Sequence, residues 1–182
     1  MINTVHSDDR GEFAEWFRFD TIKRETGYRF PVRQANVSRS SRGVVRGIHY
    51  ADIPPGQAKL VTCMVGAIRD IVVDIRVDSP TFGRWEAIEL TGVNRKAVLL
   101  PAGVGHVFVA LADDSTVCYL VSDVYTPERE HGIHPLDGTL AIDYGIPAAE
   151  LLLSPKDQKA PSFDEALAAG ALPHIDQKEP AK

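Results

Sequence analysis

Cysteine is scarce in this sequence. Among its 182 residues there are two cysteines, Cys63 and Cys118, and each lies within an apolar run, LVTCMV and TVCYLV. Such cysteines are typical of reduced core residues in a cytosolic protein, so a disulfide framework and a cysteine-based metal site are both excluded. A chain of this length can bury roughly 70% of the surface of its unfolded state, so one domain needs no covalent cross-link.

The sequence also lacks a basic block and a long apolar run, and its polar start leads us to expect no signal peptide. Twenty Lys and Arg residues stand against 25 Asp and Glu residues, which gives a net charge of -5. Nucleic-acid binding requires clustered cations, so we expect no nucleic-acid partner and expect any anionic ligand to be met locally. The polar N-terminus, MINTVHSDDRGEF, and the absence of a membrane-spanning stretch predict a cytoplasmic protein with no membrane partner.

Long helical patterns are missing between Val32 and Tyr125. Short runs rich in Val, Ile and aromatic residues are separated there by turn signals, DIPPGQ, DSPTFG, GVNRK, PAGVG and ADDS. Many short strands at this spacing predict an all-β fold, an antiparallel sandwich or barrel, and argue against a doubly wound sheet. The predicted strands are RQANVSRS, GVVRGIHY, KLVTCMVG, IRDIVVDIRV, RWEAIEL, KAVLLPAG, HVFVALA and STVCYLVSDVY.

Helices are predicted only near the two ends of one domain covering residues 1–182, with a core of about 8–157 and a C-terminal helix and tail over 158–182. EFAEWFRFDTIKRETG has aromatic residues at helical spacing, although the run could also be extended. SFDEALAAG combines the N-cap Ser162 with Glu165 three residues later and the terminator Gly170. The polar residues 174–182 are expected to fray.

Alternation along the strands places ionisable side chains on otherwise apolar faces. Asp70 and Asp74 share a face of IRDIVVDIR, Lys59 shares a face of KLVTCMV with apolar residues, and Tyr119 and Tyr125 share a face of VCYLVSDVY. Ionisable groups on inward faces are expected only where the interior is a polar cavity. The sequence therefore predicts a small barrel with a reactive lumen.

Two histidines, His49 in RGIHY and His106 in PAGVGH, stand where a Gly-containing segment meets an apolar strand. A metal site in a barrel of this kind often needs a His-x-His pair and a Glu before the later histidine. Position 51 is Ala51, however, and Gln57 and Lys59 occupy the stretch where the Glu is expected. A lysine near the ligands opposes metal binding, so we predict no metal.

Without a metal, these residue types suit proton transfer next to a carbonyl group. Histidine is the side chain whose ordinary pKa lies closest to neutrality, so it can remove a proton α to the carbonyl. Lys59 or Arg46 could stabilise the enolate oxygen, and a tyrosine, which is protonated at neutral pH, could return the proton to the opposite face. A carboxylate behind the histidine would fix its tautomer.

Several long strings of the sequence resemble the dTDP-4-dehydrorhamnose 3,5-epimerase family of nucleotide-sugar enzymes. They are VVRGIHY, PPGQAKLVTCMVGAIRDIVVDIRVDSPTFGRW, AVLLPAGVGHVFVAL and YTPEREHGI, and the likeness runs in order from about Asp8 to about Asp157. The resemblance implies a cupin-like jelly-roll fold, a homodimer without metal or organic cofactor, and a dTDP-4-keto-6-deoxyhexose as substrate. Within the family, GQAK, VGH and HPLD resemble the branch that serves deoxysugars of secondary metabolites.

Matching positions imply roles for individual residues. His49 corresponds to the general base, Asp157 in LLLSPKDQ to its dyad partner, and Tyr119 to the general acid. Lys59 corresponds to a residue near the oxygens of the substrate. The remaining matches either line the same cavity or hold the nucleotide and its diphosphate; they are His106 and Asp70 for the cavity, and Arg46, Arg10, Glu15, Gln34 and Asn36 for the nucleotide.

Four questions stay open at this level. Strict alternation puts Arg46 and His49 on opposite faces, so either Gly47 allows a bulge or Arg46 faces a neighbouring edge. Tyr125 could stack on the thymine ring or only pack the edge of the site. The reaction could invert carbon 3, carbon 5 or both, and the alternatives to an epimerase are a non-catalytic nucleotide-sugar-binding cupin and a 3,4-ketoisomerase.

Overall fold

The computed structural model describes residues 4–174. In this part of the chain, eleven strands are accompanied by two short α-helices. The helices are α1 (Phe19–Thr26) and α2 (Phe163–Ala168). The strands are β1 (Val5–Asp8), β2 (Gly11–Ala14), β3 (Gln34–Ser40), β4 (Val45–Ala51), β5 (Lys59–Val65), β6 (Ala67–Val73), β7 (Trp85–Thr91), β8 (Ala97–Leu100), β9 (Gly105–Ala110), β10 (Ser115–Val121) and β11 (Glu130–Gly132).

Two antiparallel sheets form the body of the fold. The smaller sheet has the order β3-β10-β5-β8 and the larger has the order β11-β4-β9-β6-β7, while β1 and β2 pair separately as a hairpin. Apolar side chains of both sheets, among them Val61, Val117, Ile68 and Phe108, form one buried cluster. The sheets therefore pack face to face, which confirms the predicted all-β, cupin-like jelly roll with short helices near its ends.

The outer faces of both sheets are also covered. On the larger sheet, Val45, Ile71 and Val107 point away from the space between the two sheets. They pack against residues of the C-terminal part of the chain, such as Ile133 and Phe163. On the outer face of the smaller sheet, Leu60 and Leu120 pack against Ile22 of α1 and against Phe30. β9, the middle strand of the larger sheet, is buried along its whole length, so its sequence reads as a nearly continuous apolar run.

The eight predicted strands correspond to β3–β10, with corrections at particular ends. The strand in IRDIVVDIRV ends at Val73, so Asp74 does not face the lumen; it accepts hydrogen bonds from Arg76, Ser79 and Thr81 and organises the turn. These bonds outweigh the effect of burial and hold the pKa of Asp74 below its usual range. β10 ends at Val121, which leaves Tyr125 in the following loop.

The two cysteines behave differently. Cys63 is buried between the sheets, as predicted, and both thiols are free. Cys118 points to the outer face of the smaller sheet and is half-buried, so its assignment to the core was wrong. Neighbouring strand residues alternate between faces, and Cys118 has the parity of Leu120 on the outer side.

The first predicted helix is shorter than the run that suggested it. Residues 12–14 of EFAEWFRF belong to β2, and the helix begins at Phe19 and ends before Gly27, whose φ of 72° places it in the left-handed region. The extended alternative was therefore right for the first part of this run. α2 is confirmed, with a capping box between Ser162 and Glu165. Of the tail predicted to fray, residues 175–182 lie outside the described residues.

A β-bulge in β4 determines which side chains face the interior. Arg46 pairs with Phe108 and His49 pairs with His106, so β4 uses one residue more than β9 between these two pairs. The extra residue is accommodated at Gly47, whose φ is 129°. Arg46 and His49 consequently point to the same side, which confirms the bulge among the two possibilities that alternation left open.

Replacing Gly47 by alanine tests the importance of the bulge. An added Cβ would press on the carbonyl oxygen of His106 and lie 2.6 Å from Cα of Val107, at a φ that L-residues rarely adopt. We expect Gly47→Ala to lower the free energy of unfolding by about 2–4 kcal/mol in urea denaturation. The matched control is Gly138→Ala, where a Cβ meets nothing within 4 Å and the expected change is within about 0.5 kcal/mol. Equal stabilities of the two variants would show that β4 does not need a glycine at its bulge.

No helix within residues 4–174 has both the length and the apolar composition needed to cross a membrane.

Candidate active site

A cavity of about 480 Å³ opens between the two sheets. Its walls come from both sheets and from the segment 152–157, which follows the jelly roll in sequence. The lining residues include cations, histidines, hydroxyl groups and apolar side chains; they are Ser38, Val44, Val45, Arg46, His49, Lys59, His106, Phe108, Tyr119, Leu152, Leu153, Ser154, Lys156 and Asp157. The cavity is therefore a polar lumen of the kind that the strand alternation predicts.

His49 and Asp157 form the first of two imidazole–carboxylate pairs. Nε2 of His49 lies 2.7 Å from Oδ1 of the buried Asp157. The pair is held by backbone contacts between the segment before β4 and the segment before Asp157. Val44 and Leu152 form a parallel bridge, and Val45 N donates to the carbonyl oxygen of Leu152 at 2.9 Å. His49 lies five residues after Val44, and Asp157 lies five residues after Leu152, so the parallel bridge brings the two side chains together.

The Asp157 carboxylate is held in its charged form. Burial alone would raise the pKa of this carboxyl, but hydrogen bonds from His49 and Ser154 outweigh burial and lower the pKa below its ordinary value. An anionic Asp157 accepts a hydrogen from Nε2 of His49. In the neutral imidazole, the other ring nitrogen, Nδ1, then carries no hydrogen and can accept a proton.

The second pair, His106 and Asp70, lies deeper in the cavity. Nε2 of His106 lies 2.7 Å from Oδ1 of Asp70, which is fully buried on the neighbouring strand β6. His106 also stands directly opposite His49 in the β4–β9 ladder. Within residues 4–174, the other oxygen of Asp70, Oδ2, has no hydrogen-bond partner.

Lys59 and Tyr119 come from the opposite wall. They lie on the adjacent strands β5 and β10 of the smaller sheet, and both side chains are half-buried. Burial lowers the pKa of Lys59, an effect that the negative charges of Glu130 and Asp70 partly offset. Burial also raises the pKa of the Tyr119 phenol, so this group keeps its proton at neutral pH.

Arg46 lies at the mouth of the cavity, where its side chain is exposed. Its Nε donates to Oγ of Ser40 at 3.1 Å. With His49, Asp157, Tyr119, Lys59 and His106, it completes a group of six predicted site residues that line one cavity. Asp70 supports that group from behind His106.

Five other predicted site residues are not in this lining. Gln34 and Asn36 are joined by a hydrogen bond of 2.7 Å on β3, and Gln34 also accepts a hydrogen bond from the backbone N–H of Tyr125. Arg10 and Glu15 lie on and after the β1–β2 hairpin, where they pair with Asp8 and Arg18. The binding roles of these five residues therefore remain predictions.

The structure adds residues that the sequence alone did not single out. Lys156 and Ser154 line the cavity because they belong to the same SPKD segment as Asp157. Glu130 lies on β11 opposite Ala51, two residues from the Gly132–His49 pair, and its charge acts on both Lys59 and Tyr119. A serine three residues before an acidic residue signals a helix cap when an apolar run follows, whereas SPKD is followed by QKAPS, so the sequence carried no clear signal for Ser154.

Within the described part of the chain, no group of three His, Cys, Asp or Glu side chains is arranged to hold a metal ion. The prediction that the protein needs no metal stays a prediction.

Comparison with known proteins adds independent evidence. The family model described as dTDP-4-dehydrorhamnose 3,5-epimerase matches residues 1–165. A dTDP-4-dehydrorhamnose 3,5-epimerase of Mycolicibacterium smegmatis is 50% identical over 172 residues, which are 93% of this chain and 83% of that protein.

Two solved structures have closely similar folds. NovW, a 4-keto-6-deoxy sugar epimerase from the novobiocin biosynthetic gene cluster of Streptomyces spheroides, has a TM-score of 0.93 and 50% identity over 97% of this chain and 87% of that chain. ChmJ, a 3'-monoepimerase from Streptomyces bikiniensis in complex with dTDP-quinovose, has a TM-score of 0.92 and 47% identity over 97% of this chain and 89% of that chain. The sequence strings, the jelly roll and these similarities agree that the chain belongs to the dTDP-4-dehydrorhamnose 3,5-epimerase family.

Proposed function

We propose that this protein epimerises a dTDP-4-keto-6-deoxyhexose in deoxysugar biosynthesis, by removing a proton next to the 4-keto group and returning a proton to the opposite face. One observation carries the proposal: His49 and Tyr119 lie on facing sheets of a single cavity. An inversion requires a base on one side of the sugar ring and an acid on the other. A protein that only bound a nucleotide sugar would need neither group.

His49 is the proposed base. Asp157 engages Nε2, so Nδ1 of His49 takes the proton from the carbon atom next to the carbonyl group. The carboxylate holds the imidazole in this tautomer and stabilises the imidazolium that forms, as the aspartate of a catalytic triad does. The enolate oxygen then carries the developing negative charge, and Lys59 is the proposed donor to it.

Tyr119 is the proposed acid, and Arg46 is the proposed anchor of the diphosphate. The phenol retains its proton because burial raises its pKa, so it can deliver that proton from the wall opposite His49. The guanidinium of Arg46 at the cavity mouth suits a diphosphate, since planar guanidinium groups bind phosphate oxygens with two parallel hydrogen bonds. No metal or organic cofactor is required for these steps.

We also propose a cytoplasmic homodimer of a single-domain chain. Phe13 on the β1–β2 hairpin and Val37 on the edge strand β3 are each 69% exposed. Arg10 and Glu15 lie beside this hairpin and outside the cavity of their own chain. A second copy packed on these surfaces would cover them and could bring both charged residues near a cavity.

Solvent exchange at the sugar tests the proposed function directly. The protein is incubated with dTDP-4-keto-6-deoxyglucose in deuterated water, and proton NMR follows each carbon-bound hydrogen. We expect loss of the signal at carbon 3, carbon 5 or both, since the named relatives include both a 3'-monoepimerase and a 3,5-epimerase. His49→Ala should abolish this exchange, because general-base catalysis contributes about a hundred- to ten-thousand-fold. No exchange in the wild type would refute the function.

Tyr119→Phe separates proton removal from inversion. The variant keeps the ring and loses the hydroxyl, so we expect inversion to fall far more than deuterium incorporation, because His49 can still return a proton to the face it came from. Both rates are measured on one sample, by NMR and by product stereochemistry. Tyr28→Phe, in the apolar cluster outside the smaller sheet, is the control and should leave both rates unchanged. If the two rates of Tyr119→Phe fall in equal proportion, Tyr119 is not the acid.

Arg46→Ala tests the diphosphate contact. A charge-assisted hydrogen bond contributes about 1.5–3 kcal/mol, so the affinity for dTDP in calorimetry should fall about ten- to a hundredfold, with a weaker dependence on salt. The matched control is Arg39→Ala, which removes an exposed arginine of β3 that pairs with Asp114 and does not line the cavity. An unchanged affinity of Arg46→Ala would place the diphosphate elsewhere.

A further inference from the structure

Ser154 contacts the dyad carboxylate from the side that His49 leaves free. Oγ of Ser154 donates to Oδ2 of Asp157 at 2.8 Å and accepts from the backbone N–H of Asp157 at 3.1 Å. The two oxygens of Asp157 therefore have different partners, with Oδ1 on His49 and Oδ2 on Ser154. The orientation of the carboxylate is thus fixed by one hydrogen bond to each of its oxygens, from His49 and from Ser154. The backbone N–H of Asp157 is held separately by the Ser154 hydroxyl.

A second serine of the chain provides a structural comparison. Ser162 precedes α2 and accepts from the backbone N–H of Glu165, three residues later, at 3.2 Å. There the Glu165 carboxylate turns back to the backbone N–H of Ser162, which completes the capping box. In the SPKD segment the same serine-to-N–H contact is present, and in both segments the serine Oγ also donates to the carboxylate, at 2.8 Å to Asp157 and at 2.9 Å to Glu165. The difference is that Asp157 uses its other oxygen to accept from His49, whereas Glu165 turns back to the backbone N–H of its serine.

We propose that Ser154 is a positioning residue that orients the Asp157 carboxylate toward His49 and keeps it anionic during proton abstraction. This inference rests on the proposed function of His49 as the base. Ser154 touches neither the imidazole nor a reacting carbon atom in this scheme, and it acts through Asp157. Loss of its hydroxyl would free Oδ2 and allow the carboxylate to rotate away from Nε2.

Several neighbouring groups, the Ser154 hydroxyl among them, affect the pKa of the Asp157 carboxyl. His49 from β4 and Lys156 from the same segment lower the pKa of the carboxyl, and the anion in turn raises the pKa of Tyr144, a phenol that burial already affects more strongly. The Ser154 hydrogen bond is a further stabilisation of the anion. Without it the Asp157 pKa rises, so the His49–Asp157 pair takes up a proton at higher pH.

The experiment compares Ser154→Ala, Ser154→Thr and Ser162→Ala in the full-length protein. We expect Ser154→Ala to lower kcat by about ten- to a hundredfold with little change in KM, and to move the acidic limb of the kcat/KM profile to higher pH. Ser154 is exposed, so threonine has room for its methyl group and should restore both values. Ser162→Ala removes a comparable cap and should lower only the thermal stability.

A readout without substrate separates this inference from the proposed function. In protein labelled with ¹⁵N-histidine, NMR reports the tautomer of His49 and the pH at which the pair takes up a proton. We expect Ser154→Ala to raise that pH, whether or not the wild type epimerises the sugar. An unchanged His49 titration, or kinetic effects equal to those of Ser162→Ala, would overturn the inference and leave Ser154 as a structural cap.

Discussion

The extra residue at Gly47 is the constraint on which the rest of the site depends. Without the bulge, strict alternation would send either Arg46 or His49 to the outer face, into the apolar layer that covers the larger sheet. With it, the exposed arginine and the half-buried histidine share one cavity, while Val45 and Ile48 both pack outward. One left-handed glycine thus brings the proposed diphosphate anchor and the proposed base to the same side.

The segments that cover the outer faces of the sheets stabilise the fold and also help to position the residues of the cavity. The C-terminal segment that covers the larger sheet also runs beside the start of β4. There Leu152 forms backbone hydrogen bonds with Gly43 and Val45. Because this pairing is parallel, the two segments run in the same direction from the Val44–Leu152 bridge. His49 and Asp157, each five residues after its bridge residue, therefore lie side by side. The position of the carboxylate is consequently set by backbone geometry, and Ser154 only has to fix its rotation.

These relations explain how much the sequence could predict. Alternation located Lys59, Tyr119 and Asp70 on inward faces, because strand parity is a local property. It placed Asp74 wrongly, because a strand end is decided by turn hydrogen bonds that periodicity does not contain. Asp157 came only from the family resemblance, since a contact across 108 residues depends on tertiary pairing. Glu130 was missed because β11 has three residues, too few for an alternating pattern.

The interior of the cavity combines groups that an apolar core would avoid. Two histidine–aspartate pairs satisfy most of their polar atoms, but Oδ2 of Asp70 is buried without a partner among residues 4–174, and burial lowers the pKa of Lys59. A lowered pKa means that the charged form of Lys59 is less stable in the folded protein than it would be in water. Keeping the cation in the cavity therefore costs folding stability. An oxygen atom that becomes negatively charged during the reaction would relieve that cost. Lys59 is therefore better matched to the proposed enolate than to the ground state of the protein, which is the expected relation between a site and a transition state.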